Sequence, residues 1–343
     1  MISVLLAVAG VALLVIVGLS TLRAVLAPRQ SPPRVARWTV RLVSTVLIAI
    51  GARLPREPRE RVMTLCAPLS LFGMLLCWLF GLFLGFALFA SAVTGIDLDA
   101  DGLGRFFALQ ETGGARIAGL LAWLSSAIVI GLFLVHLIRI TNAYTRRELL
   151  AARLSAQAAK PPDAERILAA YVRSDSRNQL DVLFADWTGW LADIRCTHVC
   201  YPALVYYRPA SEMCWLQAAT IVLDAAALVE AIAPSWAVPY TRALLDTGMR
   251  CFERLGSDLG ITLAHSEVSL QGREQFGFDE TIKVTTSAGL PTERSPREAW
   301  LAFQGLRTRY APYTTAIASI LLYHVADNRV DSTASPIPKG GIC

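Results

Sequence analysis

Asp97, Asp99, Asp101 and Gly102 occupy positions 1, 3, 5 and 6 of a calcium-binding loop pattern. Carboxylates at that spacing can surround a hard cation, and the glycine makes the turn. The twelfth position, which should supply a bidentate glutamate, is Ala108, and Glu111 falls three residues late. A solvated acidic loop is the simpler reading. Cys196 and Cys200 flank His198, with Cys214 further on, but the paired Cys-x2-Cys spacing of a structural zinc site is missing. Neither set is therefore expected to hold a metal. His136 is an ionisable group inside an apolar run, a default functional candidate, although a neutral His near a membrane interface is also ordinary. The chain has no P-loop, Gly-x-Ser-x-Gly, His-Glu-x-x-His or dinucleotide fingerprint, and no enzyme activity or cofactor is expected.

The elements that carry these residues are mostly apolar. Of 343 residues, 54% are hydrophobic and only 17% charged, against about 25% charged in a soluble domain. Residues 1–22, 62–96 and 117–138 contain no Asp, Glu, Lys or Arg. Each is long enough for a transmembrane helix, which needs about 20 apolar residues. The first run lacks a basic start and is longer than a signal peptide's core, so it reads as an uncleaved span.

Residues 23–61 hold nine Arg and two Glu. Within them Arg34, Arg37 and Arg41, then Ser44 and Thr45, recur at helical spacing, with Val35, Leu42, Val46 and Ile50 on the rest of the surface. This predicts an amphipathic helix over 34–53 lying in the interface, its arginines toward lipid phosphates. A short fourth span with snorkelling arginines is the alternative. The basic segment places itself in the cytoplasm, the acidic 95–115 loop outside, and the amino terminus outside. Gly81 and Gly85 form a small-xxx-small pair that lets another helix approach closely.

The expected fold is all-α. Three transmembrane helices and the interfacial helix precede a helical cytoplasmic domain. The expected parts are a span over 1–27, a basic segment over 28–61, a two-helix module over 62–140, a cytoplasmic helical domain over 141–330 and a flexible tail over 331–343. Residues 141–343 carry 20 basic and 21 acidic side chains, so nucleic acid is not an expected partner. The anionic inner leaflet of the plasma membrane is. Helices are expected over 178–195, 215–232, 241–259 and 297–325, with an irregular stretch over 260–292. Trp187, Trp190, Trp215 and the Tyr206–Tyr207 pair would anchor a cytoplasmic protein partner if exposed, and are core otherwise.

An outer span, a short loop and an inner span resemble the pore of potassium channels. More closely, the chain is similar to a group of uncharacterised actinobacterial membrane proteins with a potassium-channel-like pore module. The resemblance rests on Ala67-Pro68-Leu69-Ser70-Leu71, on Thr145-Arg146-Arg147-Glu148 and on the stretch Pro202 to Pro209. It implies an ion-channel-like protein and a homo-oligomer, tetrameric by analogy. It also implies Thr112, Gly113 and Gly114 as the filter stretch, with Asp97, Asp99, Asp101 and Glu111 concentrating cations at the outer mouth. The stretch lacks the aromatic residue of Thr-Val-Gly-Tyr-Gly, so potassium selectivity is not expected. The alternative is a non-conducting, membrane-anchored interaction or sensor protein.

Overall fold

The computed structural model describes residues 2–25, 34–157, 163–210, 213–262 and 272–323. The tail expected at 331–343 lies outside them. All the regular structure among the described residues is helical, as the sequence predicts. The chain divides into two compact units. One comprises residues 1–145 and 196–208, and the other 146–195 and 209–343. The division falls inside two helices, so a stretch from the second half of the sequence belongs to the amino-terminal unit.

The first unit is built from α1 (Ile2–Val25), α2 (Arg34–Gly51), α3 (Arg56–Thr64), α4 (Cys66–Thr94), α5 (Ala100–Phe107) and the first part of α6 (Gly113–Gln157). α1 lies along α4 on a seam of small residues. A Cβ on Gly10 would sit 2.7 Å from the Gly85 carbonyl oxygen and 2.9 Å from the Phe89 nitrogen. Val17 packs into the space over Gly81, where a Cβ would meet its methyl at 2.6 Å. The helix that the Gly81–Gly85 pair admits is therefore α1 of the same chain. In an apolar solvent this close approach supplies the dispersion contacts that hold helices together. Trp78 is fully buried at the seam, and its indole donates to the Ser20 hydroxyl at 3.2 Å.

α6 closes the other end of α1. Arg139 donates to the Val25 carbonyl, and the buried His136 lines a cavity together with Ala24. The Val25 carbonyl has no partner within the helix, because a helix leaves its last C=O groups open. The returning stretch contributes a 3-10 turn, Pro202–Tyr206, packed on α2 and α4. Tyr201, Ala203 and Leu204 join the same core as Met74, Trp78 and Ile140.

The second unit holds the rest of α6, α7 (Ala164–Arg173), most of α8 (Arg177–Cys200), α9 (Trp215–Ile232), α10 (Tyr240–Leu259), α11 (Gly272–Ser287), α12 (Pro296–Arg307) and α13 (Ala311–Ile320). α9 is its centre, flanked by α7, α10, α12 and α13.

Among the described residues, four helical stretches are long and apolar enough to cross a membrane, as expected of a membrane-embedded protein: α1, α3–α4, α6 and α9. They differ in surroundings. The apolar window of α9 is 72% buried within the protein, whereas those of α1, α3–α4 and α6 are 11%, 39% and 33% buried. A helix enclosed on all sides by its own unit is a core helix.

Two local expectations are corrected. Within the stretch 260–292 expected to be irregular, residues 272–287 form α11, and residues 263–271 lie outside the described residues. Thr281, Thr285 and Thr286 bond back to carbonyls four residues earlier, which removes their competition with the helix. The helix expected over 297–325 is two helices, broken at Thr308–Tyr310. Pro312 stands in the first turn of α13, where its fixed φ fits and its missing N–H costs nothing.

Candidate functional site

The loop between α4 and α6 folds back onto both helices. Asp99 caps α5, accepting from the Gly102 N–H at 2.7 Å, and Asp101 lies in the first turn, where the helix dipole favours a carboxylate. Phe106 is buried against Ala87, Ala90 and Ala118. Phe107 meets Phe83 edge-on with ring centroids 4.9 Å apart, and the Trp123 indole donates to the Phe107 carbonyl at 3.0 Å. Phe83 stands about three turns before the end of α4, so the loop reaches well down the helix pair. Leu109, at φ 57°, then turns the chain back and covers Gly119, where a Cβ would meet its methyl at 2.7 Å.

This geometry separates the residues proposed for the outer mouth. Asp99 is engaged as the cap. Glu111 pairs with Arg105 at 3.0 Å. Asp97 and Asp101 are exposed. The calcium-like spacing folds as a capped helix, and no cluster of three or more His, Cys, Asp or Glu that could hold a metal occurs among the described residues. Thr112, Gly113 and Gly114 are exposed at the start of α6, with Gly113 at φ 61°.

α6 presents a long outward arc. Ile117, Leu121, Leu124, Ile128, Leu134 and Ile138 are all exposed on it. Its inward side carries Val129, Phe133, His136 and Ile140. His136 is 5% exposed and faces Tyr201 edge-on at 5.4 Å. With Ser70, Met74 and Cys200 it lines a cavity of about 20 Å³, the size of one water.

α2 carries the lipid-facing candidates. Arg34, Arg37 and Arg41 are exposed on one flank. Ala36, Val40 and Ser44 face α4. Ser44, grouped with the arginines in the sequence, instead lies on the buried side and donates to the Arg41 carbonyl. Arg59 caps the end of α2 by donating to the Gly51 and Leu54 carbonyls at 3.2 and 3.1 Å.

In the second unit the tryptophans proposed as partner anchors are core. Trp187, Trp190 and Trp215 are buried. Trp215 and Trp190 contact Arg147, itself 1% exposed: its guanidinium lies 5.4 Å from the centre of the Trp215 ring and pairs with Glu148 at 2.9 Å, and the Trp190 indole donates to the Arg147 carbonyl at 3.1 Å. Sequence reading missed a second buried network. Asp224 on α9 accepts from the Tyr310 hydroxyl at 2.5 Å and from Arg307 at 3.2 Å. Burial, reinforced by the Asp224 carboxylate, holds the Tyr310 hydroxyl well above the ordinary 10.0. A raised folded value means that this tyrosine's contribution is fully present below pH 10 and lost as pH rises toward the folded value. In alkaline denaturation of the full chain, Tyr310→Phe is expected to flatten the loss of stability above pH 10. An unchanged profile would discount this tyrosine.

Cys196 is exposed, His198 is buried, and the Cys214 sulfur caps α9 by accepting from the Gln217 N–H at 3.4 Å. No known protein family, curated protein or solved structure matches the chain.

Proposed function

We propose that the chain is an integral plasma-membrane protein that keeps the outline of a two-helix pore module without conducting, and that anchors its helical second unit for an interaction or sensing role. The observation that carries this reading is the outward arc of α6, apolar from Ile117 to Ile138. A hydrated path needs polar groups or carbonyls to replace an ion's water shell, and this arc offers lipid contacts instead. The basic 23–61 segment supports a cytoplasmic position for that segment and an outer amino terminus.

The folded-back α5, seated by Phe106 and Phe107, favours a second reading in which the module is a working homo-tetrameric pore. Ion flux into liposomes holding the purified protein separates the two. No flux above protein-free liposomes is expected across a range of voltages and calcium levels. Flux abolished by replacing Thr112, Gly113 and Gly114 together would sink the non-conducting reading.

A further inference from the structure

We infer that α2 is a docking surface for anionic phospholipid, with Arg34, Arg37 and Arg41 holding its phosphate. The inference rests on the membrane-embedded reading above and adds which lipid class is selected and where. The surface of α2 divides into three stripes. Ala36, Val40 and Ser44, at intervals of four residues, face α4. Trp38, Leu42 and Val46, at the same interval, are 62%, 50% and 49% exposed. The third stripe is Arg34, Arg37 and Arg41, all exposed. Protein contact on one stripe fixes the rotation of the helix, so the arginine and apolar stripes must face two further environments side by side.

Charge argues for what covers them. Several exposed arginines elsewhere pair with carboxylates, among them Arg105 with Glu111, Arg146 with Asp193, Arg242 with Glu230 and Arg309 with Asp246, while others, such as Arg56 and Arg116, do not. Among the described residues no carboxylate pairs with Arg34, Arg37 or Arg41. Arg34 and Arg37 also stand in the first turn of the helix, where the dipole disfavours cations. Unpaired positive charge at that end calls for an external anion. Guanidinium forks match phosphate oxygens. A free phosphate would leave the adjoining apolar stripe in water. A phospholipid satisfies both stripes at once, phosphate on the arginines and acyl chain along Leu42 and Val46, with Trp38 at the boundary where its ring is favoured.

The test uses the full chain in mild detergent, titrated with phosphatidylglycerol or phosphatidylcholine, with bound lipid counted by native mass spectrometry. At about fivefold per arginine, the Arg34→Gln/Arg37→Gln/Arg41→Gln variant is expected to hold phosphatidylglycerol on the order of a hundredfold more weakly. Phosphatidylcholine binding and the unfolding temperature should stay unchanged, which reports that embedding and fold survive. The matching triple Lys variant should retain most of the selectivity. Brominated phosphatidylglycerol should quench part of the tryptophan fluorescence, and Trp38→Phe should remove that part. Phosphatidylglycerol held equally by the Gln variant, or displaced by inorganic phosphate at matched ionic strength, would overturn the inference. A chain that stays soluble without detergent would instead overturn the membrane reading on which it rests.

Discussion

Leucine in place of Gly10 is expected to lower the stability of the first unit by about 3 kcal/mol or more, at the upper end of what overpacking costs. The atoms in the way are main-chain atoms on α4, the Gly85 oxygen at 2.7 Å and the Phe89 nitrogen at 2.9 Å. A side-chain rotation cannot clear them, so α1 must move off the seam and give up the Val17–Gly81 contact with it. Gly18→Leu is the matched control, because a Cβ there meets nothing within 4 Å. Both changes also gain helix propensity, up to about 1 kcal/mol, so the difference between them isolates the seam. Thermal unfolding in detergent reads it. Equal melting temperatures for the two variants would show that the seam does not hold the unit together.

Asp224→Ala is expected to cost the second unit about 3 to 5 kcal/mol, the range for breaking a buried charged network from one side. The change removes the acceptor that Tyr310 and Arg307 share. The Tyr310 hydroxyl then sits almost fully buried without the partner it had. Tyr310→Phe should cost less, about 1 to 2 kcal/mol, since it removes a donor and leaves the carboxylate its arginine. The double variant should be milder than the sum of the two, because the tyrosine's desolvation is no longer charged to a missing partner. Chemical denaturation of the full chain, followed by tryptophan fluorescence, measures all three. Strict additivity would mean the residues act independently.

Much of the helical plan was legible from run length and periodicity. The helix expected at 215–232 is α9 as observed, and the amphipathic stretch expected at 34–53 is α2 over 34–51. Both carry their signal locally, in residues three and four apart. The close approach at Gly81 and Gly85 was legible too, but not that α1 supplies the partner, because nothing in α4 encodes which helix arrives. The Asp224–Tyr310 bond joins residues 86 positions apart. Each side chain alone looks like an ordinary solvated acid or core tyrosine, so only the packing of α9 against α13 reveals the pair. α11 was missed for a different reason. Glycine and threonine density suggests a loop, yet threonine hydroxyls bonded back to the preceding turn are compatible with a helix. At the proposed outer mouth the acidic residue types were visible. Their division into a cap, an ion pair and two exposed carboxylates depended on where α5 begins.

The first unit is discontinuous along the chain, since residues 196–208 complete it. This has a consequence for the order in which the protein can be made. When the ribosome reaches residue 195, every long helix of the unit has been synthesised, but the piece carrying Tyr201, Ala203 and Leu204 has not. The nascent helices must wait with that core unfilled, and His136 without the Tyr201 ring that faces it. Closure is thus a late event, timed by translation of α8. A message cut short within α8 would yield a product with all its membrane-length helices from α1 to α6 and an unfinished interior, a natural mark for proteolytic removal.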